Sequence, residues 1–198
     1  MTDLKFNLKN KTSLITGAAG MLGEQHARAL LEIGSRVILT DMNIESLNNV
    51  KENLCLEFAH EKILALKMDV TKSEDVENVL NTLNKKNIFV DVLINNAAID
   101  PKVRNQSGLS ETSRLENFSV DDWNLQLDVG LKGAFLCTKF FGHDMALRGG
   151  GVILNISSDL SVISPDQSLY KRADLDDYMQ PVKPVTYSVI KTGLVGLT

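Results

Sequence analysis

Thr16-Gly17-Ala18-Ala19-Gly20-Met21-Leu22-Gly23 closes the apolar run Thr12-Ser13-Leu14-Ile15 and leads straight into a helical pattern over Met21 to Ile33. In that pattern Ala27, Leu30, Leu31 and Ile33 fall on or near one face, so the stretch reads as strand, tight turn, helix. Glycines in such a turn let the backbone reverse sharply and approach a pyrophosphate, while the helix N-terminus offers unpaired N–H groups and the positive end of its dipole. A flexible connecting turn is the plainer alternative; the order strand, glycines, helix favours the phosphate reading. Thr16, Gly17, Gly20, Met21, Leu22 and Gly23 are therefore candidate contacts to a dinucleotide.

Outward from this turn the same alternation repeats. Gly34 stops the first helix, Arg36 to Thr40 reads as a second strand, Ile44 to His60 as a helix and Ile63 to Met68 as a strand. A helix over Val76 to Lys86 and a fourth strand over Val90 to Ile94 come next. A polar loop from about Asp100 to Ser119 precedes one long helix, Asp121 to Leu147. Gly149-Gly150-Gly151 ends it, a fifth strand covers Val152 to Ile156, and a last helix begins near Val185. This β-α alternation predicts an α/β fold: a three-layer, Rossmann-type, doubly wound parallel sheet in a single domain over 1–198.

Composition sets limits on function. The chain has 198 residues, 43% hydrophobic and 23% charged, as expected for a soluble globular domain. A net charge of −4 argues against a nucleic-acid partner. No apolar run is long enough to span a bilayer, and Met1 to Lys11 does not read as a secretory signal, so a cytoplasmic protein without a membrane partner is expected. Cys55 and Cys137 read as buried free thiols, and the three histidines lack metal-ligand spacing, so no metal is expected.

Two carboxylates sharpen the nucleotide reading. Asp41 lies just past the second strand, 24 residues after Gly17. There it can accept hydrogen bonds from adenosine ribose hydroxyls and repel a 2′-phosphate, which predicts NAD(H) over NADP(H). Its alternative is capping the next helix. Asp69, followed by Val70, can bond the adenine amino group or cap the helix after it.

Near the end of the chain, Tyr187-Ser188-Val189-Ile190-Lys191 puts a phenol and an ammonium one helical turn apart on one face. A lysine so placed lets a tyrosine serve as an acid or base.

Taken in order, Thr16-Gly17 with Gly20 and Gly23, Asp41, Asp69-Val70, Asn95-Asn96-Ala97-Ala98, Asn155-Ile156-Ser157-Ser158 and Tyr187-x-x-x-Lys191 resemble the short-chain dehydrogenases/reductases over essentially the whole chain. The resemblance implies NAD(P)-dependent hydride transfer between an alcohol and a ketone of a small-molecule substrate. It implies that Tyr187 exchanges a proton with the substrate oxygen, that Lys191 holds the nicotinamide ribose, and that Ser158, rather than Ser157, bonds the substrate oxygen. It also implies that Asn95 steadies the sheet beside the cofactor, that Ala97 touches the cofactor, and that the full-length form is a homodimer or homotetramer.

Four departures qualify the resemblance. Classical members place the middle glycine where Met21 stands here; the spacing found is commoner in the extended, sugar-nucleotide-modifying branch, which keeps an epimerase as a third reading. The family's helical asparagine is replaced by Gly130, so the helix either bends there or meets a close neighbour. Ser158 and Tyr187 are 29 positions apart, which leaves an inserted polar segment, 165–184, expected on the rim of the substrate pocket and suited to a sugar-like substrate. The chain ends seven residues after Lys191, so the sheet is expected to lack the family's C-terminal strands, and an inactive NAD-binding scaffold or regulatory subunit is the alternative function. The insertion together with Gly130 is similar to the bacterial flagellin-modification branch.

Overall fold

Residues 6–99 and 112–198 are described in the computed structural model, and they carry the predicted alternation. The polar loop expected over 100–119 lies mostly outside the described residues. The chain divides into two compact units, Met1–Ala97 with Lys132–Ile156, and Ala98–Leu131 with Ser157–Thr198.

The first unit holds the sheet. β1 (Thr12–Thr16), β2 (Arg36–Asp41), β3 (Ile63–Lys67), β4 (Val92–Asn95) and β5 (Val152–Asn155) run parallel in the order β3-β2-β1-β4-β5. Leu14 of β1 pairs with Ile38 on one side and Leu93 on the other. Every residue of β1 is buried, and so are the middle four of β2, as helices on both faces demand. Ala27 and Leu31 of α1 (Met21–Glu32) and Leu47, Val50 and Leu54 of α2 (Ile44–Cys55) close over Ile15, Val37 and Leu39. α3 (Ser73–Lys85) buries Val76, Val79 and Leu83. β2 and β3 lie on one side of β1 and β4 and β5 on the other, so the direction of winding reverses there. In open α/β sheets ligands bind beside that reversal, at the carboxyl ends of the strands.

Three boundaries differ from expectation by more than one residue. α2 ends at Cys55 rather than His60: Leu54 is the last apolar residue on its buried face, Leu56 is exposed, and Phe58 turns back onto the core. α3 begins at Ser73, where Glu74 and Asp75 complement the helix N-terminus. β4 begins at Val92 rather than Val90, because the Asp91 side chain takes a place in the ladder. Its carboxylate accepts the Thr12 N–H (2.9 Å) and the Lys11 ammonium (3.1 Å), while its backbone N–H donates to Thr12 O and its carbonyl accepts the Val152 N–H.

The expected long helix runs through α4 (Val120–Leu127), α5 (Gly133–Cys137) and α6 (His143–Leu147), with wider π turns at Asp128–Lys132 and Thr138–Gly142 between them. Each π turn contains one glycine, Gly130 or Gly142, where helix propensity is low and a neighbour comes close. Ser119 caps α4 by accepting the N–H groups of Asp121 and Asp122.

The second unit holds α4 and α7 (Val185–Leu197) with four short 3-10 turns among the described residues, Leu115–Asn117, Asp159–Ser161, Gln167–Tyr170 and Asp177–Met179. Between 165 and 184 the buried Gln180 organises the chain. Its amide oxygen accepts the Arg172 N–H at 2.8 Å, and its amide nitrogen donates to the carbonyls of Arg172 and Leu175. Among the described residues no helix is long and apolar enough to cross a membrane.

Asp91→Ala removes one charge-assisted bond to a strand N–H and leaves that donor half-buried. The variant should unfold with about 1–3 kcal/mol less stability in a urea titration, at an unchanged m-value.

Candidate active site

At the carboxyl end of β1, Thr16 is the junction. Its hydroxyl accepts the N–H groups of Asn96 and Ala97, both at 3.0 Å. The Asn96 amide nitrogen donates back to the carbonyls of Thr16 and Gly17, at 3.0 and 3.1 Å. These bonds draw the chain after β4 onto the glycine turn. Gly17 takes φ +64, and a Cβ there would lie 2.8 Å from Ala97 Cα. Gly23 sits against Ala18, where a Cβ would meet the Gly17 carbonyl at 2.5 Å. Gly20 is the N-cap of α1, and no side chain caps that end. Met21 and Leu22 open the helix with their side chains exposed. The result is a bare helix N-terminus beside a turn too close for side chains, which can receive an anionic diphosphate.

Asp41 ends β2 with one carboxylate oxygen 3.2 Å from the Ala19 N–H and the other 2.9 Å from the Asn43 N–H. The cap of α2 is Asn43, whose side chain accepts the Ser46 N–H at 3.1 Å. Asp41 is thus not that helix's cap; it faces the glycine turn. Asp69 is more locally occupied. One oxygen accepts both the N–H (3.0 Å) and the hydroxyl (2.7 Å) of Thr71, and the other faces the Lys72 ammonium at 3.4 Å. Burial raises this carboxyl, but the Thr71 bonds and Lys72 together hold it below the ordinary carboxylate range. Asp69 and Met42 line an open cavity of about 530 Å³, and Val70 is buried in the core.

Asn95 is buried opposite Asn155 in the β4–β5 register. Its amide nitrogen donates to the Asn155 side-chain oxygen (2.8 Å), the Thr138 hydroxyl (3.2 Å) and, longer, the Ala134 carbonyl (3.5 Å). It therefore fastens β4 to β5 and to the second π turn. Among the described residues nothing donates to its buried side-chain oxygen. The paired glycines, the uncapped helix end, the turn-facing Asp41 and this buried acceptor fit a dinucleotide held at the ends of β1, β2 and β4.

In the second unit, α7 carries Tyr187, half-buried, and Lys191, which is only 7% exposed. The Lys191 ammonium lies 5.5 Å from the Tyr187 ring centroid. A second ammonium, from Lys183, lies closer, at 3.9 Å. Ser157 donates its hydroxyl to the Lys191 carbonyl at 2.9 Å. Ser158 donates to the Asp159 carboxylate (2.8 Å) and accepts the Leu160 N–H (3.2 Å), so it caps the 159–161 turn. That turn packs on α7, with Thr192 donating to the Ser161 carbonyl.

Gly130 finds its reason here. A Cβ at Gly130 would lie 2.8 Å from Ile190 Cγ2, and one at Gly193 would lie 2.8 Å from a Leu131 methyl. Each glycine takes a branched side chain from the facing helix. The fully buried Thr186 hydroxyl, bonded to the buried Gln126, adds a polar tie between α4 and α7. Of the two alternatives raised for Gly130, the close neighbour holds, and the helix also widens into a π turn there.

Sequence reasoning assigned no role to Asn96, Asn155, Thr138, Gln126, Gln180 or Lys183. The Asn95-Asn96 pair was visible as a polar strand end, but which asparagine bound which element was not. Lys183 has a signal in the sequence: it stands four residues before Tyr187, as Lys191 stands four after.

A profile of the short chain dehydrogenase family matches residues 11–172. The chain is 29% identical over 196 residues to an NAD-dependent glycerol dehydrogenase of Listeria innocua, covering 99% of this chain and 65% of the relative. It is 26% identical, with the same coverage of 99% and 65%, to a D-threitol dehydrogenase of Mycolicibacterium smegmatis. A crystal structure of a gluconate 5-dehydrogenase from Burkholderia cenocepacia in complex with NADP and tartrate superposes with a TM-score of 0.77 at 25% identity, over 98% of this chain and 65% of that one. The chain thus spans a little under two thirds of the length of these relatives.

Gly130→Asn drives a side chain into Ile190 and should cost about 1–3 kcal/mol in chemical denaturation. Pairing it with Ile190→Ala should give a non-additive result, with the double variant less destabilised than the two single losses together.

Proposed function

The chain belongs to the short chain dehydrogenase family, and on that premise we propose that it is an NAD-dependent oxidoreductase acting between a secondary alcohol and its ketone on a polar, sugar-like substrate. The observation that carries the reading is the buried Lys191 ammonium, 5.5 Å from the ring of Tyr187 one turn away on α7. The relatives named as glycerol and threitol dehydrogenases support a polyol class of substrate.

When bound, the nicotinamide supplies the hydride acceptor or donor. The glycine turn and the start of α1 bind the diphosphate, Asp41 accepts the adenosine ribose hydroxyls, and Asp69 with Val70 borders the adenine. Asn95 keeps β4 and β5 in place beside the cofactor, with Ala97 against it. Tyr187 exchanges the proton with the substrate oxygen. Lys191 holds the nicotinamide ribose and keeps a positive charge beside the phenol as the proton leaves. Ser158 turns its hydroxyl from Asp159 to the substrate oxygen, and the 165–184 segment forms the rim of the substrate pocket. The choice of NAD rests on Asp41, since the gluconate 5-dehydrogenase complex contains NADP.

Tyr187→Phe should abolish NADH production with a panel of polyols while NAD binding, followed by quenching of Trp123 fluorescence, stays unchanged. Full activity in this variant removes Tyr187 from the chemistry. Asp41→Ser should raise the ratio of NADP to NAD use in kcat/KM by roughly tenfold or more, because a carboxylate no longer faces the 2′-phosphate. An unchanged ratio assigns the preference elsewhere.

A further inference from the structure

The hydroxyl of Ser158 is already engaged. A hydroxyl has one proton to give and two lone pairs, and an ionised carboxylate can only accept. The 2.8 Å contact from Ser158 to Asp159 Oδ1 therefore commits the serine's proton to the carboxylate. The Leu160 N–H lies 3.2 Å from Ser158 Oγ and 2.9 Å from the same Asp159 oxygen. Asp159 is exposed, and its other oxygen, Oδ2, has no hydrogen bond among the described residues.

This pair is fixed relative to α7. The Ser161 hydroxyl donates to the Ser158 carbonyl at 2.6 Å, the Thr192 hydroxyl to the Ser161 carbonyl at 2.8 Å, and the Ser157 hydroxyl to the Lys191 carbonyl at 2.9 Å. The first bond closes the turn on itself, and the other two tie the segment to the helix that carries Tyr187. A carboxylate is thereby held one hydrogen bond away from the hydroxyl read as the substrate's partner.

We infer that Asp159 is a specificity-determining residue that selects vicinal diols, by accepting a hydrogen bond from the hydroxyl next to the reacting carbinol. The inference rests on the reading of Ser158 as the donor to the substrate oxygen. For that bond to form, Ser158 turns its proton away from Asp159, and the carboxylate loses a charge-assisted bond. Oxygens on adjacent carbons can sit about one hydrogen-bond length apart, as Ser158 Oγ and Asp159 Oδ1 do. A vicinal diol can therefore make an exchange: Ser158 donates to the reacting oxygen, and the neighbouring hydroxyl donates to Asp159. The carboxylate keeps its full set of bonds. An alcohol without that second hydroxyl leaves the carboxylate one bond short, and a substrate carboxylate at the same place meets like charge.

Propylene glycol and isopropanol provide the test, because they share a secondary carbinol and differ by one hydroxyl on the neighbouring carbon. Turnover with NAD is measured on both for the wild type, Asp159→Ala and Asp159→Asn. Binding of both to the NADH-saturated protein is measured separately by saturation-transfer NMR titration. In Asp159→Ala the ratio of kcat/KM for propylene glycol to that for isopropanol should fall roughly tenfold, and the preference in binding should fall by a similar factor. Asp159→Asn should lie between, since its amide oxygen still accepts but carries no charge. An unchanged ratio, with turnover present, overturns the inference and leaves the proposed function standing. Equal losses on both alcohols in Asp159→Ala also overturn it, because they mark a residue that only holds Ser158. Preferential binding of propylene glycol that depends on Asp159, without turnover of either alcohol, sustains the diol site and overturns the proposed activity. Absence of both binding and turnover overturns both.

Discussion

Asn96 and Thr16 hold the end of β4 against the turn that leaves β1, and the candidate nucleotide site depends on that junction. Thr16 accepts two backbone N–H groups through one hydroxyl, and Asn96 returns two bonds to the carbonyls of Thr16 and Gly17. Four hydrogen bonds close the approach so tightly that position 17 has no room for a Cβ and takes a positive φ. A turn held this way keeps its N–H groups and the start of α1 in one orientation. Site preorganisation at this end is therefore a matter of short side chains bonded to the backbone rather than of long side chains.

The second unit is organised by a different constraint, contact between helices. Gly130 and Gly193 are the recesses that receive Ile190 and Leu131, and Thr186 and Gln126 supply a buried polar tie beside them. Small residues allow α4 and α7 to approach, and on α7 Lys191 is buried while Tyr187 is half-buried. Replacement of the family's asparagine by Gly130 is thus a packing solution with its own partner. It exchanges a side-chain polar group for a closer helix contact.

The candidate site was legible in uneven measure. The capping alternative for Asp41 is removed by Asn43, a residue of similar chemistry two positions later. Asp69 is more locally occupied. Its carboxylate bonds Thr71 in a local turn and α3 has no side-chain cap, so its capping alternative does not hold; a hydroxyl two residues away competes for the same oxygen. Asn95 ties β4 to β5, yet its neighbour Asn96 makes the tie to the glycine turn. Side chains alternate in direction along a strand, so adjacent asparagines at its end serve different neighbours.

By itself the sequence determined the order and type of the elements, the parallel sheet and the family, because periodicity, glycine turns and the Tyr187–Lys191 spacing are local properties that adjacent residues set. Tertiary structure decided which strand ends meet, why Gly130 is glycine, how Gln180 gathers the 165–184 segment, and that Lys183 as well as Lys191 faces Tyr187. Those outcomes depend on distances between residues far apart in the chain, or on the path of an irregular segment. Neither is encoded in any single window of residues.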